Sequence, residues 1–186
     1  MRVAKSAAAL AVVFWLAAGC IPSLYPWFSE KDVVFEEALL GTFAGEADNG
    51  VWKFAKAEAD KRYSLSITDK DGKTGDFDAT LARFGGITLL DLYPQDPKGL
   101  SPFYVWHLQP CHTFLLVEKM GDELTLRPMN PSWLQKHLKE NPDAIAHHTD
   151  KERLLLTAPT DKLQAFIVRH LKTEGAWGDA VGLRRQ

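Results

Sequence analysis

From Gly41 onward the chain is written largely in a period of two. "RYSLSITD" sets Tyr63, Leu65 and Ile67 on one face and Ser64, Ser66 and Thr68 on the other. "DFDATLAR" repeats the pattern, with Phe77, Ala79 and Leu81 on the apolar side. Such alternation marks strands with one face buried. Turn residues separate the segments. Asn49-Gly50 joins "GTFAGE" to "VWKFAK", since both residues tolerate positive φ. "DKDGKTG", Gly85-Gly86 and Gly121-Asp122 punctuate the later ones. With "ITLLDLYP", then "FYVWHLQ" after the loop "QDPKGLSP", then "TFLLVEKM" and "ELTLRPM", the reading gives eight strands in order. A run of this kind is an antiparallel meander. A short helical turn at "FEEALLG", stopped by Gly41, precedes it.

Two segments break the alternation. "ITLLDLY" and "TFLLVE" are apolar on both faces, so their outer side needs a cover. The period changes to 3.6 near the C-terminus and supplies one. Leu163, Phe166, Ile167, His170 and Leu171 share a helical face in "TDKLQAFIVRHLK", with Thr160 as the expected N-cap. An earlier helix, "NPSWLQKHLKEN", has Asn130 as cap, Pro131 in its first turn and a stop at Asn141-Pro142. Trp133, Leu134, His137 and Leu138 form its stripe. "RLLLTA" (Arg153 to Ala158) reads as a last strand between the two helices. The expected fold is therefore mainly β with C-terminal helices: a meander closing into a barrel or half-barrel, with helices near 130–140 and 160–172.

The first residues follow neither period. Arg2 and Lys5 precede an uncharged run of about 14 residues, Ser6 to Gly19, that ends in small side chains. A helix crossing ~30 Å of hydrocarbon needs about 20 residues, so this run suits an export signal better than a span. Pro22, Pro26 and the charges at Glu30, Lys31 and Asp32 prevent its extension. "LAAGC" (Leu16 to Cys20) resembles the lipobox of bacterial lipoproteins, with Ala17 where leucine is commonest. The resemblance implies cleavage between Gly19 and Cys20, a diacylglyceryl thioether on the Cys20 sulfur and acylation of its new amino group. Two or three acyl chains anchor a protein stably without a transmembrane helix. A plain secretory signal with an incidental cysteine is the alternative. Ile21 rather than aspartate follows Cys20. By the sorting rule of enteric lipoproteins, this implies the outer membrane of the cell envelope. The expected organisation is a signal peptide over 1–19, a lipidated tether over 20–32 and a β-meander domain over 33–186. The tether's Tyr25, Trp27 and Phe28 suit either the bilayer interface or packing on the domain.

The element order is similar to the lipocalin pattern, with Gly41-Thr42-Phe43 in the place of that family's G-x-W. This resemblance implies a barrel, and inward aromatics on its strands suit a cavity for an apolar small ligand, with Trp52, Tyr63 and Trp106 as candidate pocket residues. A small eight-stranded barrel filled by its own side chains is the competing reading.

The remaining chemistry is sparse. The formal charge is −2, and removing Arg2 and Lys5 makes it more negative, which argues against a nucleic-acid partner. The two cysteines, Cys20 and Cys111, cannot pair if Cys20 carries lipid. Cys111 then reads as a packed small residue, and adjacent His112 points to the opposite strand face. The histidines lack metal-binding spacing: His147-His148 diverge, and His137 and His170 lie on helix core faces. "DKDGKTGD" has Thr80 where a calcium loop has its twelfth-position glutamate, so a hairpin turn is expected. No G-x-S-x-G, P-loop or dinucleotide-binding glycine pattern occurs. No catalytic residue, metal or cofactor is assigned. The expected function is non-enzymatic: a lipid-anchored binding module, for an apolar small ligand or, with a solid core, for an envelope protein partner. An envelope hydrolase is the third option, because triads are spatial rather than sequential.

Overall fold

The computed structural model describes residues 21–45, 49–59, 61–151 and 153–186. Eight antiparallel strands close into a barrel: β2 (Gly41–Gly45), β3 (Val51–Lys56), β4 (Tyr63–Thr68), β5 (Thr74–Phe84), β6 (Ile87–Pro94), β7 (Thr113–Lys119), β8 (Glu123–Arg127) and β11 (Val181–Arg185). Seven of them follow the expected meander. The eighth, β11, lies between β8 and β2, with Leu183 opposite both Leu124 and Gly45. The architecture is consistent with a lipocalin-like barrel. Its "upper" end carries the β2–β3, β4–β5 and β6–β7 connections. The "lower" end carries the β3–β4, β5–β6 and β7–β8 connections.

Two expectations fail at the strand level. "FYVWHLQ" is not a strand. β6 and β7 pair directly, Leu89 with Leu116 and Leu92 with Thr113, which leaves the intervening residues no ladder. Pro102 starts a single helical turn instead, α1 (Pro102–Val105). "RLLLTA" gives β10 (Arg153–Leu156), but β10 stays outside the barrel, laddered to β9 (His147–Asp150) in a two-stranded ribbon and bridged to Ser23 at Leu156. The helix after it, α3 (Thr160–His170), therefore precedes the true last strand.

Alternation sorts the side chains of the wall. Phe43, Trp52, Phe54, Tyr63, Leu65, Ala79, Leu81, Leu90, Leu92, Leu115, Leu124, Leu126 and Leu183 point inward and pack on one another. Leu39, in a 3₁₀ turn at Glu37–Leu39, is buried against the same cluster. At the lower end Arg185 donates to the carbonyls of Leu40 (2.6 Å), Ala38 (2.7 Å) and Gly121 (3.2 Å), with its guanidinium 4.6 Å from the Phe43 ring centroid. β5 pairs with β4 along Thr74–Ala79 and with β6 along Phe77–Phe84, and β1 (Val33–Val34) takes up the freed edge at Leu81 and Ala82.

The cover expected over "ITLLDLY" and "TFLLVE" is present. Leu89 of β6 and Phe114 of β7 belong to a second core, with Leu163, Phe166 and Ile167 of α3 and Leu134 and Leu138 of α2 (Pro131–Glu140). The Asn130 side chain caps α2 as expected, accepting from the Ser132 and Trp133 amides at 3.0 and 3.3 Å. Thr160 does not cap α3. Pro159 occupies that position, and the Thr160 hydroxyl donates to the Pro26 carbonyl at 2.8 Å.

That bond belongs to the segment expected to be a tether. Residues 21–32 are a strap on the outer wall, and Trp27 is fully buried, 4.1 Å from the Phe114 ring. The strap begins at the upper end, where Ser23 and His112 exchange backbone hydrogen bonds of 2.9 Å. It finishes at the lower end, where the Glu36 amide donates to the Tyr63 hydroxyl at 2.7 Å.

Candidate functional site: a polar cleft on the outer wall

The outward faces of β4, β5 and β6 carry polar residues in register. Ser64 lies opposite Asp78 and Asp78 opposite Tyr93; in the next row Thr80 lies opposite Asp91. With Phe28 of the strap, His112, and Lys56, Glu58 and Arg62 at the lower rim, they line a cleft of about 700 Å³. The strap overhangs one side of it, so the two residues of the deeper row, Thr80 and Asp91, are buried at 4% and 1% exposure.

Asp91 is the hub. One carboxylate oxygen accepts the Trp27 backbone N–H at 3.0 Å, and the other lies 2.8 Å from His112 Nδ1. The Tyr93 ring sits 4.5 Å from the His112 ring. A carboxylate at Asp91 requires a proton on the imidazole Nδ1, so Nε2 accepts in the neutral ring and donates in the imidazolium. Among the described residues, no hydroxyl of the cleft is hydrogen-bonded to His112, so two members of a hydrolytic triad stand together without the third. At the rim Gln95 donates to Asp78 at 2.8 Å, and Arg62 forms a two-pronged pair with Glu30 at 2.8 and 2.9 Å. Arg62 also lies 5.0 Å above the Phe28 ring.

Of the expected pocket residues, the structure brings Trp52 and Tyr63 together and leaves Trp106 apart. Trp52 and Tyr63 are both inside the barrel, linked through Phe54 in a row of rings at 6.3 and 6.4 Å. The Trp52 indole donates to the Asn49 carbonyl at 3.1 Å. The Tyr63 hydroxyl donates to the Glu36 carbonyl at 3.1 Å, and burial raises its pKa. Both side chains fill the interior and spend their polar atoms on the backbone. Trp106 follows α1 on the upper loop and is 82% exposed, so it lines no barrel interior.

Gly19 and Cys20, the cleavage and lipidation residues, lie outside the described residues. Cys111 is free and half-buried, and burial raises its thiol pKa, which disfavours a nucleophilic thiolate. "DKDGKTG" is a hairpin turn in which the Asp69 side chain accepts the Asp71 and Lys73 amides, each at 2.9 Å. His137 and His170 pack with Trp133 and Phe166 between α2 and α3, at ring distances of 4.6 to 6.4 Å, with His137 stacked flat on Trp133. Among the described residues no group of three or more His, Cys, Asp or Glu is placed to hold a metal, and no helix is long and apolar enough to cross a membrane.

Comparison of the chain with protein-family models, curated proteins and solved structures gave no match.

The Asp91–His112 pair is the feature that sequence reasoning missed. A signal existed: Asp91 is the one charged residue in the apolar strand "ITLLDLYP", and a charge in such a strand, if buried, demands a partner. Nothing in the chain marks His112, 21 residues later, as that partner.

Proposed function

We propose that this protein is a non-enzymatic, lipid-anchored component of the bacterial cell envelope, held by acyl chains on Cys20, whose barrel is a solid scaffold and whose binding surface is external. The observation that carries this reading is the filled interior. The side chains that would have to line a ligand cavity are instead buried against one another, Trp52 and Tyr63 among them. An eight-stranded barrel leaves room for little else. The open space lies outside, over Asp91 and His112. A polar group that hydrogen-bonds to His112 Nε2, beside the tilted Tyr93 ring, suits this cleft. The lipobox-like "LAAGC" supports the anchor, and Ile21 supports the outer membrane as its address.

Native mass spectrometry of protein extracted from its own membrane tests the scaffold reading. The expected spectrum shows the lipidated chain without an apolar small molecule, and a stoichiometric apolar adduct would overturn it. Cys20→Ala tests the anchor. The expected result is transfer to the soluble fraction, and retention in the membrane would remove Cys20 as the tether.

A second reading, an envelope hydrolase, draws support from the oriented Asp91–His112 pair. Ester or amide turnover by the wild-type chain that disappears in His112→Gln, with the fold retained, would favour it over the binding reading.

A further inference from the structure

Nine large hydrophobic residues are exposed among the described residues, and they are not scattered. Five lie in the β6–β7 loop: Leu100 at 45%, Phe103 at 70%, Tyr104 at 57%, Trp106 at 82% and Leu108 at 42%. Two more, Leu24 at 36% and Tyr25 at 49%, lie on the first turn of the strap. Only Val51 and Val168 fall elsewhere. Single exposed apolar residues need no explanation, but a loop that presents three aromatic rings to solvent does.

The chain path places both groups at the same end of the barrel. The loop returns to β7 through His112, and His112 is the residue that exchanges backbone bonds with Ser23. From there the strap runs away, down the wall to Glu36 at the lower end. Cys20 is three residues before Ser23, within about 10 Å even for fully extended chain. The sequence points the same way. From Gly99 to Val117 there is no Asp, Glu, Lys or Arg, so burying this loop in a bilayer desolvates no formal charge of those types. His107 is turned back on its own loop, with Nδ1 2.8 Å from the Phe103 carbonyl and its ring 4.9 Å from the Phe103 ring. Trp and Tyr are the side chains that favour the boundary between headgroups and hydrocarbon.

We infer that the Leu100–Leu108 loop, with Leu24 and Tyr25, is a membrane-facing wedge that seats the upper end of the barrel in the interfacial layer of the bilayer to which Cys20 is tethered. The inference rests on the anchoring of Cys20 for its orientation. Acyl chains alone hold a protein at a membrane but leave it free to tumble, whereas a second, protein-borne contact fixes which face looks outward. Seating the upper end leaves the Arg62 rim of the polar cleft on the side away from the lipid.

A benzophenone amino acid tests this in the full-length chain in its own membrane. It is placed at Phe103 in one variant and in another at Val168, whose side chain lies over Gly85 at the lower end. Lipid adducts should form at position 103 on the order of tenfold more than at 168, as expected for a side chain held in the interfacial layer. A discrete protein adduct at 103, no adduct there, or equal labelling at both positions would overturn the wedge. Cys20→Ala separates the two claims. If it releases the protein while position 103 of the anchored chain labels no lipid, the anchor stands and the wedge falls. If Cys20→Ala stays in the membrane and position 103 still labels lipid, the wedge stands and the anchor falls.

Discussion

The barrel interior and the layer on its outer wall are built on the same two strands, and they are held by different means. On β6, Leu90 and Leu92 face in while Leu89 and Asp91 face out; on β7, Leu115 faces in and Phe114 faces out. Around its circumference the interior is closed by backbone ladders, and strand register sets which side chains of the wall point into it. The outer core is closed by α2, α3 and the strap, none of which pairs with β6 or β7 as a strand. Apolar burial is non-directional and would let these elements slide. Polar contacts fix them: Trp27 N–H to Asp91, Thr160 to Pro26, and Gln164 to Trp27 O and to Asp32. The contrast explains why buried polar side chains gather on the outside of this barrel.

The largest test of that contrast is a matched pair of truncations. Phe43→Ala in the interior and Phe166→Ala in the outer core should each cost about 3–5 kcal/mol. They should differ in reach. Phe43→Ala should lower the urea midpoint of every probe together. Phe166→Ala should first release amide protection in α3 and the strap while the β2–β5 amides remain protected. Equal loss at both sites would make the two cores one cooperative unit. Asp91→Ala comes next, at about 2 kcal/mol, because it strands the Trp27 N–H and the His112 ring. Hydrogen exchange should show the loss concentrated in residues 21–34. Asn130→Ala should cost about 1 kcal/mol by removing the α2 cap, without changing barrel protection.

The smallest expected effect is on pH dependence. His170 has its pKa lowered from 6.5 by burial, then by His137 and Arg169 nearby. The unfolded chain therefore takes up this proton more readily than the folded one. The outer core should be fully stable above about pH 6.5 and lose stability as pH falls through that value towards the lower folded pKa. Urea midpoints across pH 5 to 8 for wild type and His170→Phe should show a shallower slope in the variant.

What the sequence disclosed follows the same division. Alternation and turn punctuation, together with two continuous apolar runs between turns, made seven barrel strands legible, and those two-sided runs demanded the helical cover that is present. β11 was not legible, because Val181-Gly182-Leu183-Arg184-Arg185 offers one fully buried side chain and a glycine. "FYVWHLQ" misled because its aromatics and valine suit a strand, and only the direct pairing of β6 with β7 excludes it. The Asp91–His112 pair was hidden for a related reason: it joins a β6 residue to the residue just before the neighbouring strand β7, and adjacency in a sheet leaves no fixed spacing in the chain.

The position of β11 also sets the order of assembly. It joins β8 to β2, so the two free edges of the sheet are joined only by the strand that comes latest in the chain among the described ones. Until then β2 and β8 each present an unpaired row of N–H and C=O groups. The wait spans the whole excursion through α2, the β9–β10 ribbon and α3. A chain cut short by its final strand is therefore an open sheet with two adhesive edges rather than a slightly smaller barrel. Its expected fate is self-association rather than partial function.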